Sequence, residues 1–310
     1  MRIGFFGTPS FAVPSLKMLA AQGYTVAGVF CQPDRKSGRG HKVSFSPVKE
    51  TALELGLPVY QFEKIKSPEA VKQIEDLDLD LMVTAAYGQI LSQAILDAPK
   101  YGCINVHASL LPKYRGAAPI QWVIINGESS TGITTMFTDI GLDTGDILLK
   151  RAVPIGKTET GGELYERLAV LGADVLKDTL EAFKEGTLVR TPQKEEDASY
   201  YPMLTKDMAK LDFSQTAKQL VNRVRALTPI MRCFATLNGE NVKLIRLKLA
   251  DIEAKGKPGQ VLVADPKQGL VIQTGEGAVT VEEIQYPGGK AMTASASLLG
   301  KPIAVGDFFE

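Results

Sequence analysis

Asn105 and His107 are one residue apart in the apolar run GCINVH (102–107), so on an extended chain both side chains leave the same face. A carboxamide donates through its amide hydrogens, and an imidazole exchanges a proton near neutrality. Together they can stabilise an oxyanion and handle a proton at one reacting atom. The chain has only two histidines and one tryptophan, and NVHASLLPKYRGAAPIQW (105–122) holds one of each. A lone buried histidine is also a common structural residue, so the pair needs its context. Ser109 follows His107 closely, but it opens a Leu-Leu-Pro turn and lacks the G-x-S-x-G elbow of a serine nucleophile. A covalent mechanism is not expected. DIGLDTGDIL (139–148) sets three aspartates and two glycines between strand-like runs. It reads either as a solvated hairpin loop or as a loop carrying a carboxylate into a site. Asp143, at its centre, is the one best placed to hold a histidine tautomer and favour its protonated form. With a single imidazole beside these carboxylates, no metal-ligand set is expected.

The elements that must position these residues alternate. RIGFF (2–6) leads through a Gly-Thr-Pro turn into a helical pattern, Phe11 to Ala21. YTVAGVFC (24–31), LDLMVTAA (79–86) and GCINVH are continuous apolar runs of the kind found in buried parallel strands. Helical patterns at 46–56 and 67–76 separate them. TGITTMFT (131–138) and ILLKRAVPI (147–155) predict two more strands, and residues 159–183 a long closing helix. The implied fold is α/β, a doubly wound, mostly parallel sheet with ligands at the carboxyl ends of its strands, where His107 stands. GFFGTP (4–9) lacks G-x-G-x-x-G and puts Pro9 where free amides would meet a pyrophosphate, so it reads as a tight turn and not a dinucleotide site. A first domain is expected over 1–189. The polar, aperiodic stretch from 190 to 205 reads as a linker, and 206–310, a helix and five short strands, as a small OB-like β-barrel.

Composition limits the partners. With 310 residues, 45% of them hydrophobic and 23% charged, the chain suits one large or two ordinary soluble domains. Formal net charge is zero, so any polyanion must be met by local clusters. Two such clusters exist: the loop DRKSGRGHK (34–42), and the stretch 206–248 with nine Lys/Arg against three Asp/Glu. The start of the chain is neither a signal nor a transit peptide, and no apolar run reaches the roughly 18 residues of a membrane span. Cys31, Cys103 and Cys233 are far apart and odd in number, as buried thiols in a reducing cytoplasm would be. A cytoplasmic monomer is expected.

FGTPSFAVPSL, PDRKSGRG, AAYGQIL, NVHASLLPKYRGAAPIQW and GITTMFTDIGLDTGDIL, in this order, resemble the methionyl-tRNA formyltransferases of the folate-dependent formyltransferase superfamily. The resemblance covers essentially the whole chain. It implies that Asn105, His107 and Asp143 are the catalytic set. It also implies that Ser109, Leu110, Leu111 and Pro112 form the folate-binding turn, and that Tyr87, Gly88, Gln89, Ile90 and Leu91 line the pterin pocket. Arg35, Lys36, Arg39 and Lys42 of the basic loop, with Lys206 and Lys210 beyond the linker, are implied to meet initiator tRNA. 10-Formyltetrahydrofolate then serves as a co-substrate that turns over, with no permanently bound cofactor. One departure stands out: the family's Pro-Trp segment of the second domain reads TPIMRCF here (228–234), so no tryptophan can stack there. The competing activity is formylation of a nucleotide-linked amino sugar on the same core, and the competing class is an RNA-binding protein with a decayed core.

Overall fold

The computed structural model describes residues 1–37, 42–253 and 255–310. The chain forms two compact units, the first of Met1–Pro119, Ser130–Val153 and Tyr165–Tyr201, the second of Ile120–Ser129, Pro154–Leu164 and Pro202–Glu310. In chain order the strands up to Tyr201 are β1 (Arg2–Gly7), β2 (Thr25–Cys31), β3 (Arg35–Ser37), β4 (Lys42–Ser44), β5 (Val59–Gln61), β6 (Leu81–Ala85), β7 (Cys103–His107), β8 (Arg115–Gly116), β9 (Ser130–Phe137), β10 (Ile147–Pro154) and β11 (Tyr200–Tyr201). The helices are α1 (Val13–Ala21), α2 (Pro47–Glu54), α3 (Pro68–Glu75), α4 (Gln93–Asp97), α5 (Pro119–Ile125) and α6 (Gly161–Glu185). Ser46 and Ser67 cap α2 and α3, each accepting from the amide three residues on, with Pro in the first turn. Both devices are local: the cap meets an otherwise orphaned donor, and the proline needs none.

Seven strands make the main sheet in the order β10-β9-β7-β6-β1-β2-β5. The five from β5 to β7 run parallel, and β9 pairs antiparallel with β7. β6 is buried along its whole length and β1 from Ile3 onward, as strands covered on both faces must be. The chain moves outward from β1 through β2 to β5, then returns to β6 on the other side of β1. In doubly wound sheets ligands bind at such a reversal, which here lies at the carboxyl ends of β1 and β6. β3 and β4 pair as a hairpin in the basic loop. The polar stretch after 189 does not run free at its start. Ile147 and Thr191 exchange both backbone hydrogen bonds at 2.8 and 2.9 Å, and β11 pairs with β8.

The second unit follows the expected order of one helix and five strands, α7 (Ala217–Leu227), β12 (Phe234–Leu237), β13 (Glu240–Leu249), β14 (Val261–Asp265), β15 (Gly269–Gln273) and β16 (Ala278–Gln285). It adds β17 (Met292–Thr293) and α8 (Ala294–Gly300), neither of them expected from the sequence. The antiparallel sheet curls in the order β12-β13-β16-β15-β14, with β17 on β16. The two edges of this half-barrel are bridged by the last residues: Thr236 and Glu310 exchange both backbone bonds at 2.8 Å, and Phe309 N donates to Gly259 O at 2.9 Å. Bare strand edges are unpaired donors and acceptors, and the tail satisfies them. Phe309 is 2% exposed and faces Phe213 at 6.2 Å between ring centroids. Phe309→Ala is therefore expected to destabilise this unit by about 3–5 kcal/mol, the usual cost of emptying a buried phenylalanine site. Urea unfolding followed by circular dichroism measures it, and an unchanged transition would show that the tail seals nothing.

Candidate active site

β7 delivers Asn105 and His107 to the carboxyl edge of the sheet. Ile104 and Val106 face the opposite side and are buried there, which aims the two polar side chains together. The parallel register sets Thr84 of β6 beside Asn105, and its hydroxyl donates to Asn105 Oδ1 at 2.8 Å. That bond holds the amide in one orientation and leaves Nδ2 as the free donor. Thr84 is the polar residue in the run LMVTA, a signal visible in the sequence whose meaning depends on the strand register.

His107 is 7% exposed and lies between two acceptors. Its Nε2 is 3.0 Å from the carbonyl of Tyr114, and its Nδ1 is 3.6 Å from Asp143 Oδ1. A carbonyl only accepts, so Nε2 carries hydrogen and Nδ1 is the position that takes up a proton, facing a carboxylate. The Asp143 side chain is only 14% exposed, so little water screens the pair. Its second oxygen, Oδ2, accepts from the Gly116 amide at 2.8 Å. The other two aspartates of the loop have different partners. Asp139 accepts from Gly141 and Thr144 within the loop, and Asp146 accepts from Arg190 at 3.0 Å. Of the three carboxylates in this segment, that of Asp143 turns inward.

The backbone is strained around these groups. Tyr114, Ala118, Asp143 and Ala86 have φ of 62°, 55°, 56° and 48°, four of the six left-handed non-glycine residues among those described. Such conformations persist where the surroundings impose them, and they cluster at sites. Cys103 shares the strand face of Asn105 and His107, but burial pushes its thiol up to about 12. It is therefore not a thiolate nucleophile.

A model described as formyl transferase matches residues 1–180, and one described as formyl transferase, C-terminal domain, matches residues 203–302. The chain belongs to the formyl transferase family. It is 48% identical over 309 residues to a protein named methionyl-tRNA formyltransferase from Ruminiclostridium cellulolyticum, covering 99% of each chain. A protein of the same name from Caldanaerobacter subterraneus subsp. tengcongensis is 48% identical over 307 residues, again covering 99% of each. In fold the chain is similar to an N-formyltransferase from Helicobacter canadensis solved with folinic acid and dTDP-3-aminofucose. The TM-score is 0.68, the identity 20%, and the coverage 92% of this chain and 98% of that one.

In this formyl transferase the segments that the resemblance assigns to folate carry much of their side-chain mass inward. Ser109 is fully buried and donates to the Lys113 carbonyl at 2.7 Å, and Leu111 is fully buried. Leu110 and Pro112 are part-exposed, and the Leu111–Pro112 peptide is cis. The Tyr87 ring meets Phe6 edge-on at 5.4 Å, and burial pushes its phenol up. Its carbonyl accepts from Thr8 and Gln32 at 2.9 and 3.2 Å. The Gln89 side chain buckles the loop to Ile65 N and Phe62 O, and Leu91 is buried. What the loop offers at the surface is the Gly88 backbone and the Ile90 side chain, which is 66% exposed.

Of the cationic positions, Arg35 is exposed on β3 beside Glu63 at 3.7 Å, and Lys36 and Lys42 stand on the β3–β4 hairpin. Arg39 lies outside the described residues. Lys206 and Lys210 are exposed in the second unit, as are Lys243, Arg246 and Lys248 of β13. Three residues that touch the His107 surroundings have no local signal in the sequence: Arg115, Gln193 and Ser199.

Proposed function

We propose that this formyl transferase moves the formyl group of 10-formyltetrahydrofolate to the α-amino group of initiator methionyl-tRNA. The observation that carries this reading is the Asn105 donor beside an imidazole whose Nδ1 faces Asp143. The relatives that match nearly the full length are named for the same activity. Attack of the amine on the formyl carbon forms the new C–N bond and puts negative charge on oxygen. Asn105 Nδ2 donates to that oxyanion, a group already oriented by Thr84 and needing no rearrangement as charge develops. His107, backed by Asp143, accepts the proton that the attacking amine must lose. It returns a proton to the folate nitrogen as the bond from that nitrogen to the formyl carbon breaks. Folate leaves as tetrahydrofolate, so it is consumed in each turnover and not held. The cytoplasm is the compartment proposed; among the described residues no helix is long and apolar enough to cross a membrane.

The catalytic and folate-binding roles are assigned to the first domain, with Leu110, Pro112, Gly88 and Ile90 as its folate contacts. tRNA binding is assigned to residues 206–310 and to the β3–β4 hairpin. Exposed cations that displace counterions from phosphates suit such a partner on a chain of zero net charge. The direct test supplies 10-formyltetrahydrofolate with either charged initiator tRNA or a dTDP-linked amino sugar and identifies the formylated product. Formylmethionine after deacylation is expected; transfer to the sugar alone would overturn the reading. A second expectation concerns Arg39→Ala. Losing one phosphate contact should lower the salt slope of tRNA binding by about one. The KM for methionyl-tRNA should rise while that for folate stays level. Kinetics at two salt concentrations check this, and an unchanged tRNA KM at both removes the basic stretch 34–42 from the RNA site.

A further inference from the structure

The segment Gln193–Tyr201 lies in the first unit, and it reaches both residues that flank the His107 imidazole. On one side is Tyr114, whose carbonyl accepts from Nε2. Its amide donates to Ser199 Oγ at 3.0 Å, and its ring stacks on Tyr201 at 4.7 Å and 13°. The neighbouring backbone is tied down as well: Arg115 N donates to Ser199 O at 2.8 Å and Ala117 N to Tyr201 O at 3.0 Å. Gly116, between them, has φ +96°, and a Cβ there would stand 2.6 Å from the Tyr201 carbonyl oxygen. No other residue fits this close approach.

On the other side is Asp143. Gln193 Nε2 donates to the Asp143 carbonyl at 2.9 Å and to the Gly145 carbonyl at 2.7 Å. Its Oε1 accepts from Arg115 Nε at 3.1 Å. Arg115 is 1% exposed, and its guanidinium also donates to Glu195 at 2.7 Å and to the Tyr200 hydroxyl. The Gln193 amide thus uses both donors on two carbonyls of the Asp143 loop, and its acceptor on a buried cation. The loop cannot close by itself, because Asp143 sits in the left-handed region at φ 56°. Gly145 passes so close to Phe137 O that an added Cβ would lie 1.8 Å away. A strained loop of this kind holds its geometry only when something outside it imposes that geometry.

We infer that Gln193 is a positioning residue of the active site, acting through Asp143, and that residues 193–201 are a built-in strap that holds both partners of His107. The inference rests on the catalytic reading of Asn105, His107 and Asp143. It assigns a role in the chemistry to a stretch whose composition reads as connecting chain. It also sets where the first unit can be severed. A cut at 190 removes the strap, whereas a cut after Tyr201 keeps every contact named above.

The test is a double-mutant cycle. Gln193→Ala should lower kcat by about 10²-fold, the scale of a misplacement near 1 Å in a catalytic group, with the KM for both substrates nearly unchanged. Gln193→Met fills the same volume without the amide, so it should lose the same turnover, with circular dichroism as the control that the variant is folded. In an Asp143→Asn background either substitution should cost little more, because the residue it acts through is already disabled. If Asp143→Asn lowers turnover but Gln193→Met leaves it intact, or if Gln193 substitutions cost the same factor in both backgrounds, the positioning role is overturned and the catalytic reading stands. If Asp143→Asn itself turns over normally, the catalytic reading fails and the inference falls with it.

Discussion

Asn105→Ala is expected to lower turnover roughly 10²–10³-fold, the cost of removing one preorganised donor from an oxyanion site. The amide is held by Thr84 at 2.8 Å, so on the proposed reading its donor meets the developing oxyanion without first finding an orientation. Alanine leaves the strand intact, because Asn105 is flanked by Ile104 and Val106, which pack on the other face and do not depend on it. The KM for folate should therefore change little. Thr84→Val should have a smaller effect of the same kind, since the amide remains but can rotate. Single-turnover formylation of methionyl-tRNA ranks the two. Near-normal turnover in a well-folded Asn105→Ala protein would remove the amide from the mechanism.

Asp143→Asn should be comparably damaging, with turnover down by about 10²–10⁴-fold, the range for loss of general acid–base assistance. The single oxygen of the new amide can still accept from Gly116 N, which keeps the loop in place. The amide NH2 then faces His107 Nδ1, a donor set against the atom that has to gain a proton. Nε2 cannot substitute, because its hydrogen is bound to the Tyr114 carbonyl at 3.0 Å. The charge that stabilises the imidazolium is lost along with the acceptor. His107→Ala should be at least as severe. Measured kcat with circular dichroism as the control for folding decides both, and a turnover unaffected by Asp143→Asn excludes the orienting role.

Much of this protein can be read from the chain alone, because the features concerned are local. Burial on two faces makes β6 a continuous apolar run, and alternation places Asn105 and His107 on one face of β7. The Ser-Pro starts of α2 and α3 mark helix ends by their own chemistry. The order of motifs carried the family, and the five short runs after 230 carried the curled second sheet. The short elements were not legible. β5, α4 and α5 span 3, 5 and 7 residues, too few for a period to show.

The tertiary structure alone decided what orients Asn105, what holds the Asp143 loop in place, and that the start of the polar stretch after 190 belongs to the unit it follows. Each of these depends on contacts between distant residues. Gly116 N and Asp143 are 27 positions apart, Gln193 and Asp143 50, and Tyr114 and Ser199 85. Composition could not indicate them, since a glutamine or serine in a polar stretch looks the same whether it is solvated or pinned. Sequence patterns report which face of an element is apolar, and that determined the layers and the strand carrying the chemistry. A hydrogen bond of 2.7 Å depends on strand register and loop closure, which exist only once the layers have packed.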